Sequence, residues 1–208
     1  MRRLILFVLA ISLFPALAHA QLSVYFTSIN THFSNVQNGQ SYNPTTSTYT
    51  NLITTSWPPE FGGGVTFTWI KGGPLNLGLD VRGSTTHGTT GADTVMAGPR
   101  LSLRTPIVHI KPYIAAEAGY VDTRTAGSTV TSNGGGSTVA TNAATITNQY
   151  AAWEIFGGVD VPIFSHIDFR AVEIGGGRSF TVSSNAFTVN SSQQITLFSI
   201  DTGIVVHF

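Results

Sequence analysis

Cysteine is absent from this chain of 208 residues, and only 10% of the residues are charged. The first absence excludes the small secreted folds that use disulfides in place of a large core. The second sets the chain well below the roughly 25% charge of an ordinary soluble domain. A basic surplus is also missing. Lys and Arg together number 10, as do Asp and Glu, and without Arg2 and Arg3 eight cations remain against ten anions. Nothing in that balance would hold a nucleic acid. No helical face of any quality occurs, and no run approaches the roughly 20 apolar residues of a spanning helix.

The motifs of chemistry are missing as well. Beyond position 20 the histidines are His32, His87, His109, His166 and His207, and none stands in a metal-ligand spacing such as H-x-x-x-H. His32, His87 and Asp93 fall near one predicted rim, where a surface metal site or acid/base pair is conceivable on paper but has no motif behind it. No G-x-S-x-G is found, and no serine has a persuasive base beside it. Arg178 follows Gly175-Gly176-Gly177 without the strand-to-helix setting of a phosphate loop. The expectation is a protein with no cofactor, no metal and no enzymatic activity.

What is present begins with residues 1–20, MRRLILFVLAISLFPALAHA, in which two arginines precede an apolar run from Leu4 to Phe14, then Pro15 and an Ala18-His19-Ala20 cleavage pattern. This reads as a secretory signal peptide. The mature chain, residues 21–208, reads as one domain. Its last fourteen residues, ITLFSIDTGIVVHF, alternate with period two. Phe198, Ile200, Ile204, Val206 and Phe208 share one face, with Thr202 as the polar exception, whereas Ser199, Asp201, Gly203 and His207 share the other.

The same period gives eight predicted strands, at 21–33, 57–69, 75–83, 94–104, 110–122, 150–161, 167–177 and 195–208. Connections alternate long and short. Residues 34–56, 84–93, 123–149 and 178–194 are long, whereas Ile70–Pro74, Thr105–His109 and Pro162–His166 are short. That rhythm predicts an all-β, eight-stranded antiparallel up-and-down transmembrane β-barrel with both termini on the periplasmic side. Closure is required because hydrocarbon offers no partner to a strand edge. Trp57, Trp69, Tyr120, Tyr150 and Phe208, near predicted strand ends, are candidates for interfacial girdles. The long connections, rich in Ser, Thr, Asn and Gly, read as solvated loops whose ligand the sequence does not name.

Parity places Asp80, Arg82, Arg100, Arg104, Glu117, Glu154, Asp160, Asp168, Arg170 and Asp201 in the interior. An eight-stranded barrel is just wide enough for side chains to fill. Buried charges persist only when paired, so these groups are expected to form a near-balanced ion-pair network. Continuing the parity of the seventh strand turns Glu173 outward, unless a bulge near Val172 or the end of the membrane region intervenes.

The leader, the eight strands, the Gly-rich stretches Phe61–Val65 and Phe156–Asp160, and the terminal Gly203–Phe208 together resemble the small bacterial outer-membrane β-barrel family, to which the transmembrane domain of outer-membrane protein A belongs. The resemblance implies residence in the bacterial outer membrane, with outer-membrane lipids and the barrel-assembly machinery as partners. It also implies that Gly203, Ile204, Val206 and Phe208 form the barrel-assembly signal. No peptidoglycan-binding domain is expected after the barrel. The role implied is structural or surface-interacting, through four extracellular loops. Two alternatives stay open: a narrow pore for small solutes or ions, and a soluble exported β-sandwich or lipid-binding β-protein with its apolar face inward.

Deleting Phe208 is expected to lower the amount assembled in the outer membrane without blocking export, as read by fractionation and immunoblotting. Unchanged assembly would remove Phe208 from the signal.

Overall fold

Period-two alternation leads to strands that satisfy their amides only through neighbours. The computed structural model describes residues 21–43, 48–56, 59–86, 91–105, 109–128, 143–184 and 194–208. The leader and its cleavage site lie outside them. The strands are β1 (Gln21–Asn43), β2 (Thr48–Ser56), β3 (Pro59–Gly72), β4 (Leu75–Thr86), β5 (Gly91–Leu103), β6 (Lys111–Ser128), β7 (Ala143–Phe164), β8 (Ile167–Ser184) and β9 (Gln194–His207).

All pairs are antiparallel neighbours in sequence, apart from one sharing arrangement and the closing seam. The first part of β1 pairs with β3, from Gln21↔Thr68 to Asn30↔Pro59, and its continuation pairs with β2, from Phe33↔Ser56 to Asn43↔Thr48. Strands β2 and β3 therefore fill one position in the wall. Pairing of β1 with β9, from Ser23↔His207 to Ser34↔Thr196, closes the sheet. The result is an eight-position antiparallel barrel, not a sandwich.

The strands run further than expected. Residues 34–56 and 123–149 were read as loops, yet β1 and β2 pair out to Asn43↔Thr48, and β6 and β7 pair out to Ser128↔Ala143. Polar composition misled the reading because threonine is both a solvated and a β-favouring residue. A strand outside hydrocarbon can alternate polar with polar and still pair its backbone. Strand β7 has 22 residues, about twice what the apolar layer requires. The short connections at the other end are tight: Gly73 (φ 62°) and Pro74 join β3 to β4, and Ser165-His166 join β7 to β8. Positive φ is where glycine carries no steric cost.

Outward residues are apolar around the wall, among them Leu79, Val81, Val95, Leu101, Ile114, Ile155, Phe169, Ile174, Ile200 and Ile204, all substantially exposed. Inward ones alternate with them and change character along the axis. Toward the long connections, Phe33, Met96, Val121, Tyr150, Phe156, Ile195 and Leu197 form a buried apolar cluster. Tyr150, 1% exposed, is thus an interior residue and not part of a girdle. Parity assigns a face, and the uniformly polar interior that was expected gives way here to ordinary core packing. Trp57 lies outside the described residues.

Glu173 faces inward and is fully buried. Strand β8 pairs Arg170 with Gly203 and Glu173 with Asp201, so Ala171 and Val172 together oppose Thr202. This is a β-bulge, and both bulged residues point out. The Thr202 hydroxyl donates to the Arg170 carbonyl at 2.9 Å. This outward-facing threonine of β9 therefore serves a carbonyl beside the bulge that opposes it.

Replacing Leu79 with Arg on the outward wall is expected to cost about 2–4 kcal/mol of folding stability in lipid, read by urea titration of vesicle-embedded protein. A cost near zero would mean that this face does not meet hydrocarbon.

A closed charge ring and a polar cup

Alternation puts Asp80 and Arg82 on one face of β4, and the bulge puts Arg170 and Glu173 on one face of β8. Arg100 enters from β5 and Asp160 from β7. These six side chains close a cycle of alternating sign across the lumen. Arg82 pairs with Asp80 at 2.8 Å, Asp80 with Arg100 at 3.7 Å, and Arg100 with Asp160 at 2.7 Å. Asp160 pairs with Arg170 at 3.0 Å, Arg170 with Glu173 at 3.5 Å, and Glu173 with Arg82 at 2.5 Å. Every member is at most 8% exposed. Three cations and three anions make the ring neutral, which limits the cost of removing them from water.

Aromatic rings brace the guanidiniums. Arg100 lies 3.6 Å from the Tyr113 ring centroid, Arg82 3.9 Å from that of Phe156, and Arg170 4.3 Å from that of Tyr25. Two of the same rings hydrogen-bond the ring's anions: Tyr25 Oη donates to Asp80 at 2.7 Å and Tyr113 Oη to Glu173 at 2.6 Å. Thr66 also donates to Asp80. These aromatic side chains lie flat because the wall behind them has no side chain. A Cβ at Gly64 would stand 2.5 Å from Tyr25 Cζ, and one at Gly158 2.5 Å from Tyr113 Cζ. The Gly-rich stretches of the sequence are the backing of a glycine, aromatic, arginine stack.

The remaining acids are arranged differently. Glu117 approaches Arg82 Nε at 2.9 Å. Glu154 and Asp201 are buried with no arginine in ion-pair distance among the described residues, and Glu60, missed in the sequence, accepts from Ser84 at 2.7 Å. The expected balance of charge holds within the ring and fails around it. Arg104 is a correction. It is exposed just past the end of β5, where its backbone amide donates to Pro74 O at 2.7 Å and the inward parity of the strand has ended.

Below the ring, at the end carrying both termini, lies a cavity of about 60 Å³. Its lining includes Arg100 and Asp160 of the ring together with Ser23, Lys111, Asp168 and His207. Asp168 accepts from Lys111 Nζ at 2.5 Å and contacts His207 Nε2 at 2.6 Å. His207 Nδ1 stands 2.7 Å from Ser23 Oγ. Sequence proximity gave no sign of that serine–histidine contact, because the partners are 184 residues apart. Only the closing β1–β9 register brings them together. At the opposite rim, Asp93 pairs with Arg124 at 2.8 Å and accepts from Thr85. His87 lies outside the described residues, and no group able to hold a metal occurs among those described.

No protein-family model and no curated protein sequence matches the chain. Among solved structures, the barrel is similar to Neisserial surface protein A, at 12% identity and a TM-score of 0.45, covering 91% of this chain and 97% of that one. It is likewise similar to the N-terminal β-barrel domain of Pseudomonas aeruginosa OprF, at 11% identity and 0.46, covering 89% and 97%. For Ail, the attachment invasion locus protein of Yersinia pestis, the values are 8% and 0.47, covering 91% and 99%. A further similar structure is the outer membrane protease OmpT of Escherichia coli, at 9% and 0.44, covering 91% and 96%.

Replacing Arg82 with Ala removes a cation from Asp80, Glu117 and Glu173 and is expected to cost about 3–5 kcal/mol, measured as loss of thermal or denaturant stability in detergent. Gly158→Val is expected to displace Tyr113 from Arg100 and to lower the melting temperature as well, although it touches no charge.

Proposed function

We propose that the protein is a bacterial outer-membrane barrel whose charge ring serves as a structural plug and whose role is exerted at the cell surface. The observation that carries this reading is the inverted polarity of a closed sheet: an apolar outer wall surrounds buried, paired charge. Water would favour the opposite arrangement, and hydrocarbon favours this one. Residues 1–20 supply the export step. Gly203, Ile204, Val206 and Phe208 supply the assembly signal, with outer-membrane lipids and the barrel-assembly machinery as partners.

In this reading surface contact belongs to the end of the long connections, through the four extracellular loops that the sequence predicts. Their composition suits solvated contact with surroundings and identifies no ligand. The pore alternative is disfavoured by the ring, because a conducting path would have to separate its ion pairs. The apolar cluster above the ring adds a second obstruction. The ring itself is assigned no chemistry.

Migration on a detergent gel with and without boiling tests the reading. A heat-dependent shift of protein recovered in the outer-membrane fraction is the expected result. Recovery in the soluble periplasm without a shift would overturn it, and steady single-channel conductance of the purified protein would replace the plug with a pore.

A further inference from the structure

The cup at the terminal end contains an arrangement that the plug does not require. Asp168 is 1% exposed and Ser23 5%, and both line the cup beside His207. A carboxylate can only accept at His207 Nε2, so in the neutral imidazole that nitrogen carries the proton and Nδ1 is left as an acceptor facing the Ser23 hydroxyl. Hydroxyl, imidazole and carboxylate are thus connected in series at 2.7 and 2.6 Å. The two ring nitrogens are exchanged relative to the usual serine-hydrolase order. The roles follow from the hydrogen bonds and not from the atom names.

We propose that Ser23, His207 and Asp168 form a nucleophilic site that hydrolyses small esters entering the cup from the end of the barrel that carries both termini. The Ser23 Oγ–H proton passes to His207 Nδ1 as the Oγ–carbon bond forms on the acyl carbonyl. The alkoxy group leaves as its carbon–oxygen bond breaks and takes that proton. Water then attacks the Ser23 acyl ester, with His207 again as base, and releases the acid. The sum is ester plus water giving acid plus alcohol.

Two further residues suit this chemistry. Lys111 Nζ lies 2.5 Å from the same Asp168 oxygen that His207 contacts, and Arg104, exposed and without an ion pair among the described residues, lines the same cavity. Both put positive charge into the cavity that Ser23 lines, where an acyl-transfer oxyanion would be favoured. A cavity of about 60 Å³ favours a small acyl part. The charge ring forms the floor, so a substrate must enter and its products must leave by one mouth. The proposal depends on the closed barrel and not on the membrane in which it resides.

The competing reading is a cross-strand clamp, because Ser23 and His207 are register partners at the closing seam. The two are separated by treating the full chain, folded in detergent micelles, with a fluorophosphonate probe and mapping the adduct by mass spectrometry. The expected result is one adduct on Ser23, none on heat-unfolded protein and none on Ser23→Ala. His207→Gln, verified as folded by its gel shift, is expected to slow labelling by about 100-fold or more. Hydrolysis of 4-nitrophenyl acetate by wild type should cease once Ser23 is labelled. Absence of an adduct on folded wild type, an adduct elsewhere, or labelling of His207→Gln at the wild-type rate would each overturn the proposal. Ser23→Ala removes one oxygen only. Should it fail to fold, pre-treatment of wild type with phenylmethylsulfonyl fluoride, expected to abolish later labelling at Ser23, supplies the same control, and undiminished labelling would overturn the site.

Discussion

A peptide group in hydrocarbon has no water to bond to, and everything else in this molecule follows from that constraint. An open sheet would leave two rows of unmet amides and carbonyls in lipid. Pairing β1 with β9 removes both rows at once. Once the sheet is closed, its two faces meet different surroundings. In the proposed membrane setting one is solvated by acyl chains, and the other is enclosed in a lumen that side chains fill. The polarity of each residue is then decided by strand parity.

The lumen solves its own problem in layers. Charge occupies the middle, where six groups from four strands neutralise one another in a cycle, so removal of any one exposes two neighbours. Aromatic rings separate the guanidiniums from the wall and lend their hydroxyls to the carboxylates. Glycines in the wall make room for those rings. An apolar cluster lies on one side of this layer and the small cup on the other. The two ends of the barrel are therefore chemically unlike, although the strands that build them are continuous.

Much of this was legible in the sequence. Parity placed Asp80, Arg82, Arg100, Asp160 and Arg170 inside, because a two-residue repeat has only two outcomes. At Glu173 it left two alternatives, and the bulge decided between them, since one extra residue reverses the outcome for all that follows; it failed at Arg104, where the strand had ended. Tyr150 was misplaced for another reason: alternation tells which way a side chain points but not what lies there. The overlong strands were hidden by a composition shared between loops and solvated strands. The Ser23–His207 contact was invisible because it depends on which strands adjoin at closure and in what register. No local window contains that information.

Closure by the first and last strands also fixes the order in which the molecule can be made. Residues 184 positions apart must meet at the seam, so the most sequence-distant contacts complete the fold. Loop-closure entropy for that step is not offset until the final hairpin is in place. Until then the growing sheet has two unsatisfied margins and would stick to any other strand available. Assembly therefore has a natural point of no return. A sheet lacking its last strand keeps both margins open, whereas one that has joined them can come apart only by losing many bonds together.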